Sequence, residues 1–466
     1  MTQAKQIRLN AFNMNCIGHI NHGLWTHPRD RSTEFNTLEY WTELAQLLER
    51  GLFDSLFIAD IVGVYDLYQH SADLTLKEAI QLPVHDPLLI ASAMAAVTQH
   101  LGFGLTANLG CEAPYLFARR MSTLDHLTKG RVGWNIVTGY LDSAAKAIGL
   151  EQQIEHDRRY DQADEYLEVL YKLWEGSWEE DAVLADRERR IYAQPEKVHK
   201  IQHQGEFYKV EGYHLTTPSV QRTPLLFQAG SSERGLRFAG QHAEGVFVGG
   251  QSQPIIRDQV SRLRQQAVAA GRPADAVKVF MGISVVVAPT EAEARDKLAE
   301  YLRYANPEAG LAHFSSTTGI DLAQYGLDEP IRYQKTNAIE SVVKNFTAKD
   351  SGWTKRKLLE QHALGGRYPL LVGSPTQVAD ALEHWIAETD LDGFNLTRTV
   401  TPESYADFID LVIPELQNRG RYKTAYAEGS LRHKVFGQGP HLPDNHPGTE
   451  WRHAAKAAHW PKRQQS

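Results

Sequence analysis

The sequence predicts an α/β fold in which eight parallel strands alternate with helices and close into a (β/α)8 TIM barrel. Three observations carry that prediction. Short runs rich in β-branched and aromatic residues recur between longer amphipathic segments, the order that parallel strands with helical crossovers require. The runs number eight, near residues 7–14, 54–60, 101–107, 131–138, 224–229, 245–249, 277–287 and 392–397. Helix punctuation falls between them. Asp86-Pro87 supplies an N-cap and a first-turn proline, Gly51 and Gly130 stop helices ahead of strands, and Thr290 with Glu293 has capping-box spacing.

In order along the chain, IRLNAFNM is followed by the amphipathic LEYWTELAQLLERG and the strand DSLFIAD. DPLLIASAMAAVTQH leads to LGFGLTANLG, and PYLFARRMSTLDHLTKG to RVGWNIVTG. After residue 220 the alternation resumes with TPLLFQAG, SERGLRFAGQHA, EGVFVGG, PIIRDQVSRLRQQAVAAG and VKVFMGISVVVA. SPTQVADALEHWIAE and DGFNLT complete it. Two segments break the rhythm. Residues 140–222 hold a helix and the hairpin-like KVHKIQHQGEFYKVEGYHLTTP, whereas residues 305–368 read as polar and irregular. Both are expected as insertions at strand C-termini. Residues 1–430 are thus expected to form a single barrel, and residues 431–466, rich in Pro, Gly, His and basic side chains, an irregular tail that frays or wraps a neighbour.

Composition excludes several functions. Hydrophobic residues at 42% and charged residues at 23% describe a folded globular body. A net charge of −8, with acids and bases interspersed, offers no footprint for nucleic acid or an anionic membrane. No apolar run approaches the length of a membrane span and the N-terminus has no apolar leader, so the expected compartment is the cytoplasm. Cys16 and Cys111 are too few for a disulfide framework and lack zinc spacing, and HExxH is absent, so no metal is expected. Neither GxGxxG after a strand nor a P-loop occurs.

A barrel puts its functional groups where strands end and loops begin. There lie Asn13, Asn15, Asp60, Thr106, Asn108, Asn135, Thr138, the stretch from Gln228 through Ala229, Gly230 and Ser231 to Ser232, and Gly249 with Gly250. Most are uncharged hydrogen-bonding groups, which suit a flavin-like heterocycle better than a metal or a catalytic carboxylate pair. Any one Asn or Thr is equally explained by strand or helix capping; recurrence on successive strands argues for a site. QAGSSERG could present N–H and hydroxyl groups to a phosphate, or simply cap a helix. His19 and His22, in HINHGLWTHPRD, lack metal spacing and are expected to wall a substrate pocket. In EHDRRYDQADEY, His156 and Tyr160 begin a helical stripe continued by positions 163, 167, 170 and 174. They face inward at the helix end that attracts anions, or else form an ordinary packed start.

GLFDSLFIAD, AAVTQHLGFGLTA, FARRMSTLDHLTKGRVGWNIVTG, EHDRRYDQADEYLEVLYKLWEGSWEEDA, KVHKIQHQGEFYKV, QRTPLLFQAGSSERGLRFAG and DGFNL together resemble one family. It is the bacterial-luciferase-like flavin monooxygenases, in the branch acting on nitrilotriacetate, dibenzothiophene sulfone and dimethyl sulfide; the similarity spans roughly residues 6–435. FNMNCIGHINHGLWTHP, FIADIVGVYD and ANPEAGLAHFSSTTGIDLA look most like the dimethyl-sulfide members. The resemblance implies a TIM barrel of the bacterial luciferase type that binds reduced FMN (FMNH2), uses O2 as co-substrate and oxygenates carbon beside sulfur or nitrogen. It further implies a separate NAD(P)H-dependent flavin reductase as partner and a homodimer or homotetramer. The favoured substrate is a thioether such as dimethyl sulfide, cleaved to thiol and aldehyde. Sulfone or aminopolycarboxylate oxidation and a deazaflavin-dependent reaction are the alternatives, ahead of a non-enzymatic flavin-binding barrel. By resemblance, FMN contacts fall on Asp60, Thr106, His156, Tyr160, Ala229, Gly230, Ser231 and Ser232. Asn135 and Thr138 lie beside the ring as catalytic residues, joined on the substrate side by His19 and His22. Relatives often carry Ser where this chain has Gly139, which removes a hydrogen bond attributed to that Ser. The 305–368 segment is the expected lid that keeps water out.

Overall fold

The computed structural model describes residues 5–332, 353–366 and 368–452. Its centre is a closed ring of eight parallel strands: β1 (Arg8–Met14), β2 (Ser55–Ala59), β3 (Gly102–Asn108), β4 (Val132–Val137), β5 (Leu225–Gln228), β6 (Gly245–Val248), β7 (Lys278–Val287) and β8 (Gly393–Thr397). Each pairs with its neighbours in sequence order, and β8 returns to β1, with Arg8 opposite Gly393 and Phe12 opposite Thr397. All eight lie within a residue or so of their expected bounds.

Alternation along each strand sorts side chains into two layers. On β1, Leu9 and Ala11 join the layer under the helices, with Leu44 and Leu48 of helix Leu38–Arg50. Phe12 joins the inner cluster with Phe57, Phe227 and Phe280. These rings meet closely, Phe57 lying 4.1 Å from Phe247 and 5.9 Å from Phe227. Glycines opposite leave them space: a Cβ at Gly104 would come within 2.7 Å of the Phe57 ring, and one at Gly133 within 2.6 Å of Phe227. The barrel is therefore a packed core rather than a pore, and only its ends can hold a ligand.

One end is plugged, which corrects the expectation of an irregular tail. Helix Leu431–Phe436 delivers Leu431 and Val435 into the inner cluster at the strand N-termini. Its Arg432, 1% exposed, donates to Glu244 at 2.6 and 2.8 Å and to the Thr223 carbonyl at 2.9 Å. Residues 453–466 of the expected tail lie outside the described residues.

Two additions interrupt the ring of strands and helices. Helix His156–Trp174, expected within the first insertion, packs between helices Pro114–Leu127 and Glu233–His242 and so belongs to the barrel's outer ring. The hairpin Ile201–Gln204/Lys209–Gly212 forms as expected, preceded by a second one, Val183–Asp186/Ile191–Ala193, but both follow helix His156–Trp174 and lead into β5, on the helix-to-strand side rather than at a strand C-terminus. The 305–368 segment, expected to be polar and irregular, contains the buried helix Pro307–Thr318. Its Leu311 and Phe314 share a satellite core with Tyr65, Leu141 and Leu358. A short strand, Leu370–Gly373, extends the sheet beside Ser284–Val287 of β7, past the point where β6 ends. Residues 333–352 of the expected lid lie outside the described residues.

Candidate active site

A cavity of about 350 Å³ opens at the C-terminal ends of the strands. Asp60, Asn108, Thr138, Gly139, Gly249 and the stretch from Gln228 to Ser232 reach it from five successive strands, because each stands where a strand gives way to its loop. His156, Arg159 and Tyr160 reach it from the first turns of helix His156–Trp174. Of the residues singled out in the sequence, Asp60, Thr138, His156, Tyr160, Ala229, Gly230, Ser231 and Ser232 thus share one wall.

One end of the cavity is rich in donors. Tyr160 is buried on the helical stripe, and its Oη accepts a hydrogen bond from Gln228 Nε2 at 3.3 Å. Burial pushes its pKa up, with Arg159 and Arg234 pulling the other way. The loop after β5 and the first turn of helix Glu233–His242 wrap this hydroxyl so tightly that a Cβ at Gly230 would stand 2.5 Å from it and one at Gly235 2.8 Å. Ser232 caps helix Glu233–His242, its Oγ accepting from the Gly235 N–H at 3.0 Å. Arg159 is only 3% exposed, donates to the Ile154 carbonyl at 2.6 Å, and has its pKa lowered by burial. A hydroxyl, a guanidinium and the positive end of a helix thus converge, the donor set that binds phosphate.

Below the cavity, Asn135 and Thr106 pair in register across β3 and β4, Asn135 Nδ2 donating to Thr106 Oγ1 at 2.9 Å. Neither lines the wall; they sit further into the barrel than Asn108 and Val137, which do. Asn135 Oδ1 and Gln228 Oε1 are buried acceptors without a donor. Leaving such an atom unpaired costs about 1–3 kcal/mol, so each is available to accept an N–H. Asp60 is pushed up to about 6 by burial, opposed by a hydrogen bond from the Ile61 N–H and reinforced by Asp86. Gly139 has φ 73°, and a Cβ there would lie 2.7 Å from Asn108 Nδ2.

His19 and His22, expected to wall the substrate pocket, are not on the cavity wall. His19 packs edge-on against Phe12, ring centres 4.6 Å apart. His22 lies a layer back: its Nε2 is 3.0 Å from His313 Nδ1, His313 stacks on Tyr65, and Tyr65 Oη is 3.1 Å from the Oη of Tyr140, which does line the cavity. Burial first, then His362 and Arg398, pull His22 down to about 3, so it is neutral. The loop after β1 is drawn off the cavity by Arg398, which donates to the Cys16 and Ile17 carbonyls, and by Asn21, whose Nδ2 donates to the Arg398 carbonyl at 2.6 Å. Sequence reasoning missed Arg159, Tyr140, Gln251, Trp353 and Tyr368, all on the wall. Arg159 alone had a signal, being three residues after His156 on the helix. Among the described residues no His, Cys, Asp and Glu cluster could hold a metal, and no helix is long and apolar enough to cross a membrane.

A family model described as luciferase-like monooxygenase matches residues 20–421. The chain is 50% identical over 453 residues to the dimethyl-sulfide monooxygenase of Hyphomicrobium sulfonivorans, spanning 97% of this chain and 94% of that protein. It is 49% identical over 449 residues to the long-chain alkane monooxygenase of Geobacillus thermodenitrificans (strain NG80-2), spanning 96% and 98%. A riboflavin lyase solved with modified FMN and riboflavin has a TM-score of 0.91 at 41% identity, covering 96% of this chain and 100% of that one. A match that runs nearly end to end at half identity, on a closed parallel barrel whose open end holds the polar residues, makes this chain a member of the luciferase-like monooxygenase family.

Proposed function

We propose that the chain is the oxygenase component of a two-component system. It takes reduced FMN from a separate NAD(P)H-dependent flavin reductase and uses O2 to oxidise a small uncharged organosulfur compound, with a thioether such as dimethyl sulfide as the favoured substrate. The observation that carries this reading is the two-ended cavity, donor-rich around Tyr160 and Arg159 and apolar along Ile61, Val62, Val137 and Trp353. Its residues fit FMN. Tyr160, Arg159 and Ser231 would hold the phosphate, while the unpaired Asn135 Oδ1 and Gln228 Oε1 would accept from ring N–H groups. Bound reduced FMN supplies the electrons that activate O2. The chain's own part is to orient the ring, exclude water with the apolar wall, and move protons at the Tyr140 and Tyr65 hydroxyls.

Insertion of oxygen into a C–H bond beside sulfur gives a hemithioacetal, whose C–S bond then breaks. One thioether, one O2, two electrons and two protons yield one thiol, one aldehyde and one water. Among the described residues the wall carries one carboxylate, Asp60, and one guanidinium, Arg159 at the phosphate end, which disfavours a polyanionic aminopolycarboxylate. Identity to a long-chain alkane monooxygenase supports a second reading, hydroxylation of an alkane against the same apolar wall. With either substrate, the proposal includes a cytoplasmic location and a homodimeric or homotetrameric assembly.

A reductase-coupled assay over thioethers, sulfones, aminopolycarboxylates, S-alkyl cysteines and n-alkanes tests the proposal. Equal thiol and aldehyde from dimethyl sulfide is the expected result, and an alcohol from alkanes alone would favour the second reading. Hydrogen peroxide with every substrate returned intact would refute both.

A further inference from the structure

Part of the cavity wall is not barrel. Trp353, Gln361 and Tyr368 come from the segment between β7 and β8 and stand beside strand-end residues. Tyr368 fits because two strands offer it glycine: a Cβ at Gly249 would come within 3.2 Å of its ring, and one at Gly282 would collide with it. The ring also meets Phe12 at 6.3 Å, so it is seated on the barrel's aromatic core.

Two loops tie this segment down. Gln251 directly follows Gly249 and Gly250 beyond β6, and its Nε2 donates to the carbonyls of Gly366 at 3.2 Å and Tyr368 at 3.1 Å. From the loop after β1, Asn21 Oδ1 accepts from the buried Gly365 N–H at 2.6 Å. Gln361 Nε2 shares the Gly366 carbonyl at 3.1 Å. None of these bonds belongs to the strand ladder that closes the barrel.

We infer that Gln251 is a positioning residue of the oxygenation reaction: by donating to the Gly366 and Tyr368 carbonyls, its amide holds Tyr368 and the adjoining wall against the cavity. An amide NH2 has two hydrogens for two carbonyls, and a carboxylate of the same shape has none. Gln251→Glu therefore keeps volume and reverses polarity, separating tethering from space filling. The inference rests on the FMN reading above, because the wall matters only if it keeps water from a reactive flavin.

The test compares wild type, Gln251→Glu and Gln251→Ala in three measurements. Amide hydrogen exchange over residues 361–370 is followed without ligand. Iodide quenching of bound oxidised FMN fluorescence is measured next, and then the ratio of product to hydrogen peroxide in the coupled assay. Loss of the tether is expected to speed exchange in 361–370 by about tenfold while β1–β4 keep their protection. Quenching should at least double, on the order expected for local opening, and flux should pass from product to peroxide. Wild-type exchange and coupling in Gln251→Glu would overturn the inference, as would a defect in Gln251→Ala that Gln251→Glu does not share. If Gln251→Glu fails to fold, Gln251→Ala carries the same exchange criterion without a new charge. Failure of wild type to bind FMN, reduced under anaerobic conditions as well as oxidised, would sink the FMN reading instead, and the exchange arm would still decide the tether.

Discussion

Around the phosphate end, single atoms decide what the site can hold. Gly230 is there because its neighbours leave no room: Tyr160 Oη would stand 2.5 Å from any Cβ. Gly230→Ala is therefore expected to weaken FMN binding by more than about tenfold, since one displaced hydroxyl is worth at least ~1.4 kcal/mol. A fluorescence titration checks this, with unchanged affinity as the contrary result. Gly139 argues the same way about backbone. At φ 73° an L side chain is strained, and Asn108 Nδ2 occupies the space a Cβ would take. Gly139→Ser should cost about 1–2 kcal/mol in urea unfolding and lower turnover rather than raise it. Asp60 sets a pH dependence. Burial lifts its folded pKa to about 6, above the unfolded value, so its stabilising share is complete at low pH and is lost as pH rises from about 4 to about 6. Asp60→Asn, always neutral, should match wild type below that window. Above it, urea unfolding without ligand should show a gain on the order of 2 kcal/mol.

Elements explain which of these residues could be found by reading the chain. His156 and Tyr160 were legible because helix His156–Trp174 keeps the period of its stripe, and Ala163, Leu167, Leu170 and Trp174 are all buried. Helix Pro307–Thr318 was not, because its buried face carries small and hydroxylated residues that read as polar. Thr317 and Thr318 satisfy their hydroxyls within the helix, on the carbonyls of His313 and Phe314 at 2.9 Å. The C-terminal helix was hidden for a related reason: Arg432 looks like a surface residue until Glu244, far earlier in the chain, pairs with it in the interior. Arg432→Met should cost about 3–5 kcal/mol in urea unfolding by stranding Glu244, and Glu244→Leu on top of it should recover most of the loss.

Across the whole molecule, fold and site differ in how local their causes are. The strands were readable to within a residue because alternation, glycine stops and proline starts are properties of neighbouring residues. Residues at strand ends followed from the barrel rule, and Asp60, Thr138 and the Ala229–Ser232 turn do meet there. Gln251, Trp353 and Tyr368 join them only through contacts between distant loops, and the loop carrying His19 and His22 is drawn off the wall by Arg398, at the end of β8. FMN bound at this end of the barrel is expected to meet Tyr160 with its phosphate and Asn135 or Gln228 with its ring. A crystal structure of the enzyme soaked with FMN tests it most directly. Phosphate oxygens are expected within hydrogen-bond distance of Tyr160 Oη and the Ser231–Ser232 turn, with a ring N–H on Asn135 Oδ1 or Gln228 Oε1. Phosphate density away from that turn, or FMN absent from the cavity at saturating concentration, would contradict it.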